Sequence, residues 1–260
     1  MSHNISSGSQ PHETELDRPL YTPIKRRSFF MYAGATAGAT ALVLAGCKDD
    51  SNNNSPSTVS VGSGDVGVLN YAYALEQLEA GFYTTLRTGS YYTGLGATSA
   101  EKLILDDLYY HEVIHRDFFK AAIGSVSGAT AIGSLTPDFS KIDFSSRASV
   151  LGAAKAFEDL GVAAYNGAGQ YITSPGYLFL AGKIVSVEAR HAAIIRDLVS
   201  ENTFVGNDIV TLSSAGTSSL ATNNSPSGSS LERSMTPAEV VAVANTFLKD
   251  GSKLDVSGIK

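Results

Sequence analysis

Two pairs of ionisable residues in this 260-residue sequence share the spacing Glu-x-x-His: Glu112 with His115, and Glu188 with His191. A separation of three residues places a carboxylate and an imidazole side by side on one face of a helix. These two groups are ligands for divalent ions such as iron and manganese. Nine Glu and three His follow residue 47, from which chance would give only about 0.1 such pairs. The repeated spacing therefore predicts metal ligands.

Two further glutamates lie in segments that resemble each other, ALEQLEAGFY at residues 74–83 and AFEDLGVAAY at residues 156–165. When these segments are aligned, Glu76 coincides with Glu158, whereas Glu79 coincides with a glycine. We therefore predict that Glu76 and Glu158 are ligands and that Glu79 lies beside the site. Each half of the chain then contains a helix with one Glu followed by a helix with Glu-x-x-His.

The two segments also share a tyrosine, Tyr83 in the first and Tyr165 in the second, seven residues after the predicted ligand. Metal-bound carboxylates are commonly held by hydrogen bonds from neighbouring groups. The tyrosines are predicted either to donate such hydrogen bonds or to be aromatic residues of the core, and the sequence alone leaves both interpretations open.

Segments with the apolar periodicity of helices would position these residues. Four of them span residues 66–87, 99–123, 147–168 and 175–199, and a shorter fifth spans residues 237–248. The expected helix starts are Asp65, a capping box from Thr98 to Glu101, Ser146, Ser174 followed by Pro175, and a second capping box from Thr236 to Glu239. A long connection, residues 124–146, separates the second helix from the third. One long crossover favours ferritin-like connectivity over a simple up-down-up-down bundle.

Over residues 66–200 this pattern resembles the ferritin-like superfamily, and the exported single-domain form resembles its desiccation- or stress-related branch. The resemblance implies an all-α four-helix bundle with one long crossover between helices two and three, plus a short C-terminal helix. It also implies two divalent metal ions, iron or alternatively manganese, with O2 or H2O2 as small substrates, or iron oxidation. The ligand positions carry over onto Glu76, Glu112, His115, Glu158, Glu188 and His191.

Two other interpretations compete with a di-metal oxidase. Residues 111–115 read HEVIH, which matches the HExxH motif of zinc metalloproteases, with His111 and His115 as zinc ligands and Glu112 as general base. That interpretation gives no role to Glu188 and its neighbouring histidine, so His111 is instead predicted to flank the di-metal site. The other alternative is a metal-binding or structural stress protein without catalytic turnover.

Residues 1–47 have the order of a twin-arginine lipoprotein signal peptide: KRRSFF at residues 25–30, an uncharged stretch rich in Ala and Gly, and LAGC ending at Cys47. Such a signal predicts export to the bacterial cell envelope and a lipid on Cys47 that holds the protein at the membrane, on the periplasmic face or the cell surface. The alternative is a plain transmembrane anchor over residues 28–46. Cys47 is the one cysteine in the chain, so no internal disulfide is predicted.

The rest of the chain is predicted to divide into a flexible tether, a four-helix bundle, a Ser/Gly/Asn-rich loop and a C-terminal helix with a tail. Their bounds are residues 48–64, 65–205, 206–235 and 236–260. After residue 47 the chain carries 15 Lys and Arg against 22 Asp and Glu, a net charge of −7. This acidic balance argues against nucleic acid as a partner, because binding to phosphates requires a basic surface.

Overall fold

The computed structural model describes residues 58–206, 208–210 and 231–260, and these residues form a mostly helical domain. Its helices are α1 (Gly64–Leu86), the single turn α2 (Ser90–Thr93), α3 (Ala100–Gly124), α4 (Arg147–Ala168), α5 (Pro175–Val199) and α6 (Pro237–Ala244). None of the described helices is both long and apolar enough to span a lipid bilayer. The predicted signal peptide with Cys47, most of the tether and most of the Ser/Gly/Asn-rich loop lie outside the described residues.

Three of the five helix starts have the predicted caps. The side chains of Ser146 and Ser174 accept hydrogen bonds from backbone N–H groups in the first turns of α4 and α5. Thr236 and Glu239 form the predicted capping box at the start of α6. That helix ends earlier than expected, because Asn245–Phe247 continues as a 3-10 turn rather than as an α-helix.

The other two predicted starts are wrong, because their acidic residues are used elsewhere. The N-cap of α3 is Ser99 rather than Thr98, and Glu101 accepts hydrogen bonds from the Arg147 guanidinium instead of closing a capping box. Helix α1 begins at Gly64, one residue before the predicted cap, Asp65. The Asp65 carboxylate accepts hydrogen bonds from the backbone of the turn before α5 and so ties the start of α1 to it.

The four long helices form a bundle in which α1 and α4 run antiparallel to each other. Along α1 and α4, Tyr83 contacts Glu158 whereas Glu76 contacts Tyr165, so one helix ascends as the other descends. Helices α1 and α4 are buried on most of their faces, while α3 and α5 each leave an outer face exposed. Helices α1 and α4, which carry one predicted ligand each, are therefore the two most buried helices of the bundle.

The long crossover between α3 and α4 lies against α1, where two amide side chains hold it. Asn70 accepts a hydrogen bond from the Ile132 N–H and donates one to a crossover carbonyl. Gln77, two turns further along α1, does the same with the N–H of Leu135 and the carbonyl of Gly133. Both ends of each amide are paired with the backbone, so these side chains satisfy four backbone polar groups of the crossover in place of secondary structure.

The predicted tether is shorter than residues 48–64, because its last part belongs to the folded domain. Val59–Ser60 pairs in parallel with Leu254–Asp255 as a two-stranded sheet, β1 with β2. The next residue, Val61, is almost fully buried. Residues 58–61 are therefore fixed to the C-terminal tail.

Candidate metal centre

All six residues predicted as ligands lie in one buried cluster at the middle of the bundle. Helices α1 and α4 contribute one glutamate each, and α3 and α5 contribute one glutamate and one histidine each. The four glutamates have no exposed surface at all. The cluster members are Glu76, Glu112, His115, Glu158, Glu188 and His191. Four carboxylates brought together without solvent would be costly unless cations balance them.

The first half of the cluster is centred on His115. Its Nδ1 lies 2.7 Å from Oε1 of Glu188 and 3.6 Å from one oxygen each of Glu76 and Glu112. These four atoms are close enough to one another to surround a single ion.

The second half repeats the same distances around His191. Its Nδ1 lies 2.7 Å from Oε1 of Glu112 and 3.6 Å from one oxygen each of Glu158 and Glu188. Glu112 and Glu188 belong to both halves, since each turns one oxygen towards either histidine. The two Glu-x-x-His glutamates would therefore be shared between two ions if both halves held one, while Glu76 and Glu158 would each belong to a single half.

Eight buried atoms of the cluster lack a hydrogen-bond partner within the described residues, which fits a metal site. They are Oε2 of Glu76 and Glu158, both carboxylate oxygens of Glu112 and Glu188, and Nδ1 of His115 and His191. The 2.7 Å contacts are short, but their angles are not those of hydrogen bonds. Ligand atoms about 2.0–2.2 Å from an ion lie roughly 3 Å apart when they are neighbours. The observed spacings of 2.7–3.6 Å agree with that geometry.

The two tyrosines donate hydrogen bonds to carboxylates that are predicted ligands, and each tyrosine pairs with the glutamate of the other helix. The Tyr83 hydroxyl donates to Oε1 of Glu158 at 2.5 Å, and the Tyr165 hydroxyl donates to Oε1 of Glu76. Seven residues span about 10.5 Å along a helix, too far for either tyrosine to reach the glutamate of its own helix. Because α1 and α4 are antiparallel neighbours, the tyrosines exchange partners. Each hydrogen bond occupies one carboxylate oxygen and leaves Oε2 for the cluster.

Glu79, which was predicted to lie beside the site, is buried next to the cluster but belongs to neither group of four. A Cβ atom at Gly161 would lie only 2.8 Å from its Oε1. The glycine that coincides with Glu79 in the aligned segments thus leaves the space that this carboxyl group occupies. Burial, followed by repulsion from the cluster glutamates, raises the pKa of Glu79 well above its ordinary value.

His111 contacts the cluster from outside. Its Nδ1 lies 2.8 Å from Nε2 of His191, and its own side chain reaches solvent. With a metal ion on Nδ1 of His191, Nε2 would carry the ring proton and donate it to Nδ1 of His111. The imidazole of His111 thereby fixes the ring of His191.

The arrangement does not suit the HExxH interpretation. A zinc protease requires His111 and His115 to converge on one ion, whereas their ring centres are 6.5 Å apart and His111 Nδ1 is directed at His191. Glu112, the supposed general base, is instead buried between the two cluster histidines.

In the metal-free protein the cluster shifts the pKa values of its members. Burial raises the pKa of Glu158 to about 7, and burial with repulsion from Glu188 and Glu112 raises that of Glu76 well above its ordinary value. Burial also opposes ionisation of Glu112, but its contacts with the two histidines prevail and lower its pKa to about 2. For His115, burial is outweighed by the carboxylates, which raise its pKa to about 9. The cluster thus holds protons where metal ions would supply positive charge.

The stability of the metal-free protein should therefore fall as the pH rises from 7 to 9. The folded state keeps protons on Glu158 and His115 that the unfolded chain has lost, so deprotonation through pKa values of about 7 and 9 removes stability. The lowered pKa of Glu112 affects stability only at acidic pH. The lowered pKa of His111 makes stability rise with pH, but only below about pH 6.5. Thermal melts of chelator-treated protein at pH 7, 8 and 9 measure this. A melting temperature that is constant or rises over this range would contradict the described cluster.

Comparison with known proteins agrees with the fold and the cluster. Residues 64–201, just over half of the chain, match a protein-family profile described as Ferritin-like domain. The matched region begins with α1, ends just after α5, and contains every residue of the cluster. The search of curated proteins found no match. The chain belongs to the ferritin-like domain family, as a bundle whose buried carboxylate and histidine groups could hold metal ions.

Proposed function

We propose that this protein binds two divalent metal ions, iron or alternatively manganese, and uses them to consume dioxygen or peroxide at the bacterial cell envelope as part of stress protection. The observation that carries the proposal is the set of eight buried, unpartnered atoms, which form two groups of four that share the residues Glu112 and Glu188. Carboxylate and imidazole donors in this ratio suit iron and manganese. Four carboxylates also balance the charge of two divalent ions.

The residues of the chain prepare the site for a pair of ions. Glu112 and Glu188 connect its two halves, and the tyrosine hydrogen bonds orient Glu76 and Glu158. Two ferrous ions bound there supply two electrons, enough to reduce H2O2 with two protons to two waters, or O2 with two protons to H2O2. Burial of the four carboxylates shields them from bulk water.

Stopped-flow absorbance tests the catalytic part of the proposal. Protein loaded anaerobically with two equivalents of Fe²⁺ is mixed with O2 or with H2O2, and ferric absorbance is followed. We expect oxidation faster than that of free Fe²⁺ at the same pH, and loss of this acceleration in Glu188→Ala. Oxidation no faster than that of free Fe²⁺ with either oxidant would favour the non-catalytic metal-binding or structural stress protein.

The envelope location rests on the sequence of residues 1–47, which predicts export and a lipid on Cys47. With the domain beginning near residue 58, the tether would be ten residues long, with a root-mean-square reach of roughly 17 Å. Such a tether would keep the bundle close to the membrane surface. Mass spectrometry of the membrane fraction tests this: an intact chain that begins before Cys47 would contradict it.

We expect His111→Ala to retain two metal ions per chain, whereas His115→Ala should lose at least one. His111 contacts the Nε2 side of His191 and belongs to neither group of four, so its loss should weaken binding by about 10- to 100-fold without removing a ligand. His115 supplies one of the eight cluster atoms. Equilibrium dialysis against Mn²⁺, with elemental analysis, measures both variants.

Glu188→Ala is the informative comparison for the same experiment, because a zinc protease built on HExxH has no use for Glu188. Loss of metal in both histidine variants together with normal binding by Glu188→Ala would favour the protease and contradict the di-metal site.

A further inference from the structure

An apolar cavity of about 40 Å³ lies between the four long helices, next to the metal cluster. Each long helix contributes to its lining, with Leu75 from α1, Phe119 and Ala122 from α3, Ala168 from α4, and Ala181 from α5. The surface that these side chains present is almost entirely carbon. The cavity is therefore a different environment from the carboxylate cluster beside it.

Tyr165 contacts both the cavity and the cluster. The ring of Tyr165 forms part of the lining, while its hydroxyl donates to the carboxylate of Glu76. Leu75, another lining residue, directly precedes Glu76 in α1. A molecule in the cavity would therefore lie against the ring of the tyrosine whose hydroxyl donates to Glu76.

The size and polarity of the cavity select its guest. A volume of about 40 Å³ is well below the roughly 150 Å³ in which benzene binds, so only a molecule of a few atoms fits. Water requires two to four polar partners, and hydrogen peroxide would lose its hydrogen bonds in the same way. The Tyr165 hydroxyl is already committed to Glu76. The hydroxyl of Tyr71, another lining residue, is buried and has no hydrogen-bond partner among the described residues, so the lining offers at most one polar partner, fewer than water requires. The guest that fits is small and apolar.

We propose that this cavity binds dioxygen and delivers it to the proposed metal pair past Tyr165, by a route that hydrogen peroxide does not share. The inference rests on the proposed di-metal function and makes it more specific. Polar species would approach the cluster by a different, polar route. His111 is exposed, and the side chain of His115 retains 12% of its accessible surface. Ions and peroxide would reach the cluster along these imidazoles, and the apolar gas through the cavity.

Xenon tests the cavity without any metal, because it occupies small apolar cavities as a gas probe. Metal-free protein is titrated with xenon and followed by ¹²⁹Xe NMR. Ala122→Leu places three more carbon atoms at the cavity wall, and Ala121→Leu, its exposed neighbour in α3, is the matched control. We expect saturable xenon binding by wild type and Ala121→Leu, and its loss in Ala122→Leu. Ala181→Leu, which fills the cavity from α5, repeats the test if Ala122→Leu does not fold.

Oxidation rates then connect the cavity to the chemistry. In Fe²⁺-loaded protein, the cavity-filling variant should react with O2 at least tenfold more slowly than Ala121→Leu and with H2O2 at the same rate within twofold. Equal slowing with both oxidants, unchanged rates with O2, or absence of xenon binding by wild type would each overturn the inference. Failure of the proposed function gives a different result, namely xenon binding by wild type but no accelerated oxidation with either oxidant.

Discussion

Removal of metal from the loaded protein by a chelator should lower its melting temperature by about 8–16 °C. The eight predicted ligand atoms converge only in the folded bundle, so metal would bind the folded state and stabilise it. At a free metal concentration 1,000 times Kd this stabilisation is about 4 kcal/mol, and for a domain of this size each kcal/mol corresponds to roughly 2–4 °C. Differential scanning calorimetry with Mn²⁺, before and after chelation, measures the shift.

The control for this shift is a variant that cannot assemble the bridged pair. Glu188→Ala removes an oxygen from each half of the cluster, so the chelator should change its melting temperature by no more than about a degree. A similar shift in this variant would mean that metal stabilises the protein from another place.

Replacing Glu158 by Leu together with Tyr83 by Phe should leave the metal-free protein at least as stable as wild type, while abolishing most of its stabilisation by metal. Glu158 is a buried carboxyl whose pKa is raised to about 7 by burial, and a hydrophobic residue at such a place is often neutral or stabilising by roughly 1–4 kcal/mol. Tyr83 must be changed with it, because its hydroxyl donates to Glu158 and would otherwise be left unpaired at a cost of about 1–3 kcal/mol.

The internal repeat supplies a matched pair for this experiment. Glu76→Leu with Tyr165→Phe removes the equivalent ligand and donor from the first half, and should give the same two results. Glu201→Leu, an exposed position outside the cluster, should preserve the full metal-induced shift. A Glu158 variant that loses stability without metal yet keeps the shift would remove Glu158 from the site, and with it the two-fold repeat.

The sequence predicted the cluster because its members follow two patterns: the Glu-x-x-His spacing, and the similarity between the two remaining helices. The i, i+3 spacing of Glu112 with His115 is local, so a helix alone brings the pair to one face. Aligning the two remaining helices indicated that Glu76 rather than Glu79 is the ligand. The structure places Glu76 in the cluster and Glu79 beside it. These predictions depended only on which residues share a helix face, which a single sequence contains.

Contacts between helices were less accessible to prediction. The exchange of partners between Tyr83 and Tyr165 requires knowing that α1 and α4 are antiparallel neighbours. The contact of His111 with His191 likewise joins two helices at positions that no local pattern relates. The apolar cavity depends on how side chains from all four long helices fill the space between them, a property of the packing rather than of any segment.

The errors at the helix starts have a similar cause. Thr98 and Glu101 have the spacing of a capping box, but Ser99 is the N-cap and Glu101 accepts hydrogen bonds from Arg147 of another helix. The pairing of Val59–Ser60 with Leu254–Asp255 joins segments almost 200 residues apart, and two-residue strands carry no periodicity to reveal them.

Metal stoichiometry tests the central claim most directly. Wild type and Glu188→Ala are loaded anaerobically with excess Fe²⁺, desalted, and analysed for metal and protein by inductively coupled plasma mass spectrometry and quantitative amino-acid analysis. The six-residue cluster predicts two ions per wild-type chain and fewer than one per Glu188→Ala chain, because Glu188 contributes to both halves. A single ion in wild type, no bound ion, or two ions in both proteins would contradict it.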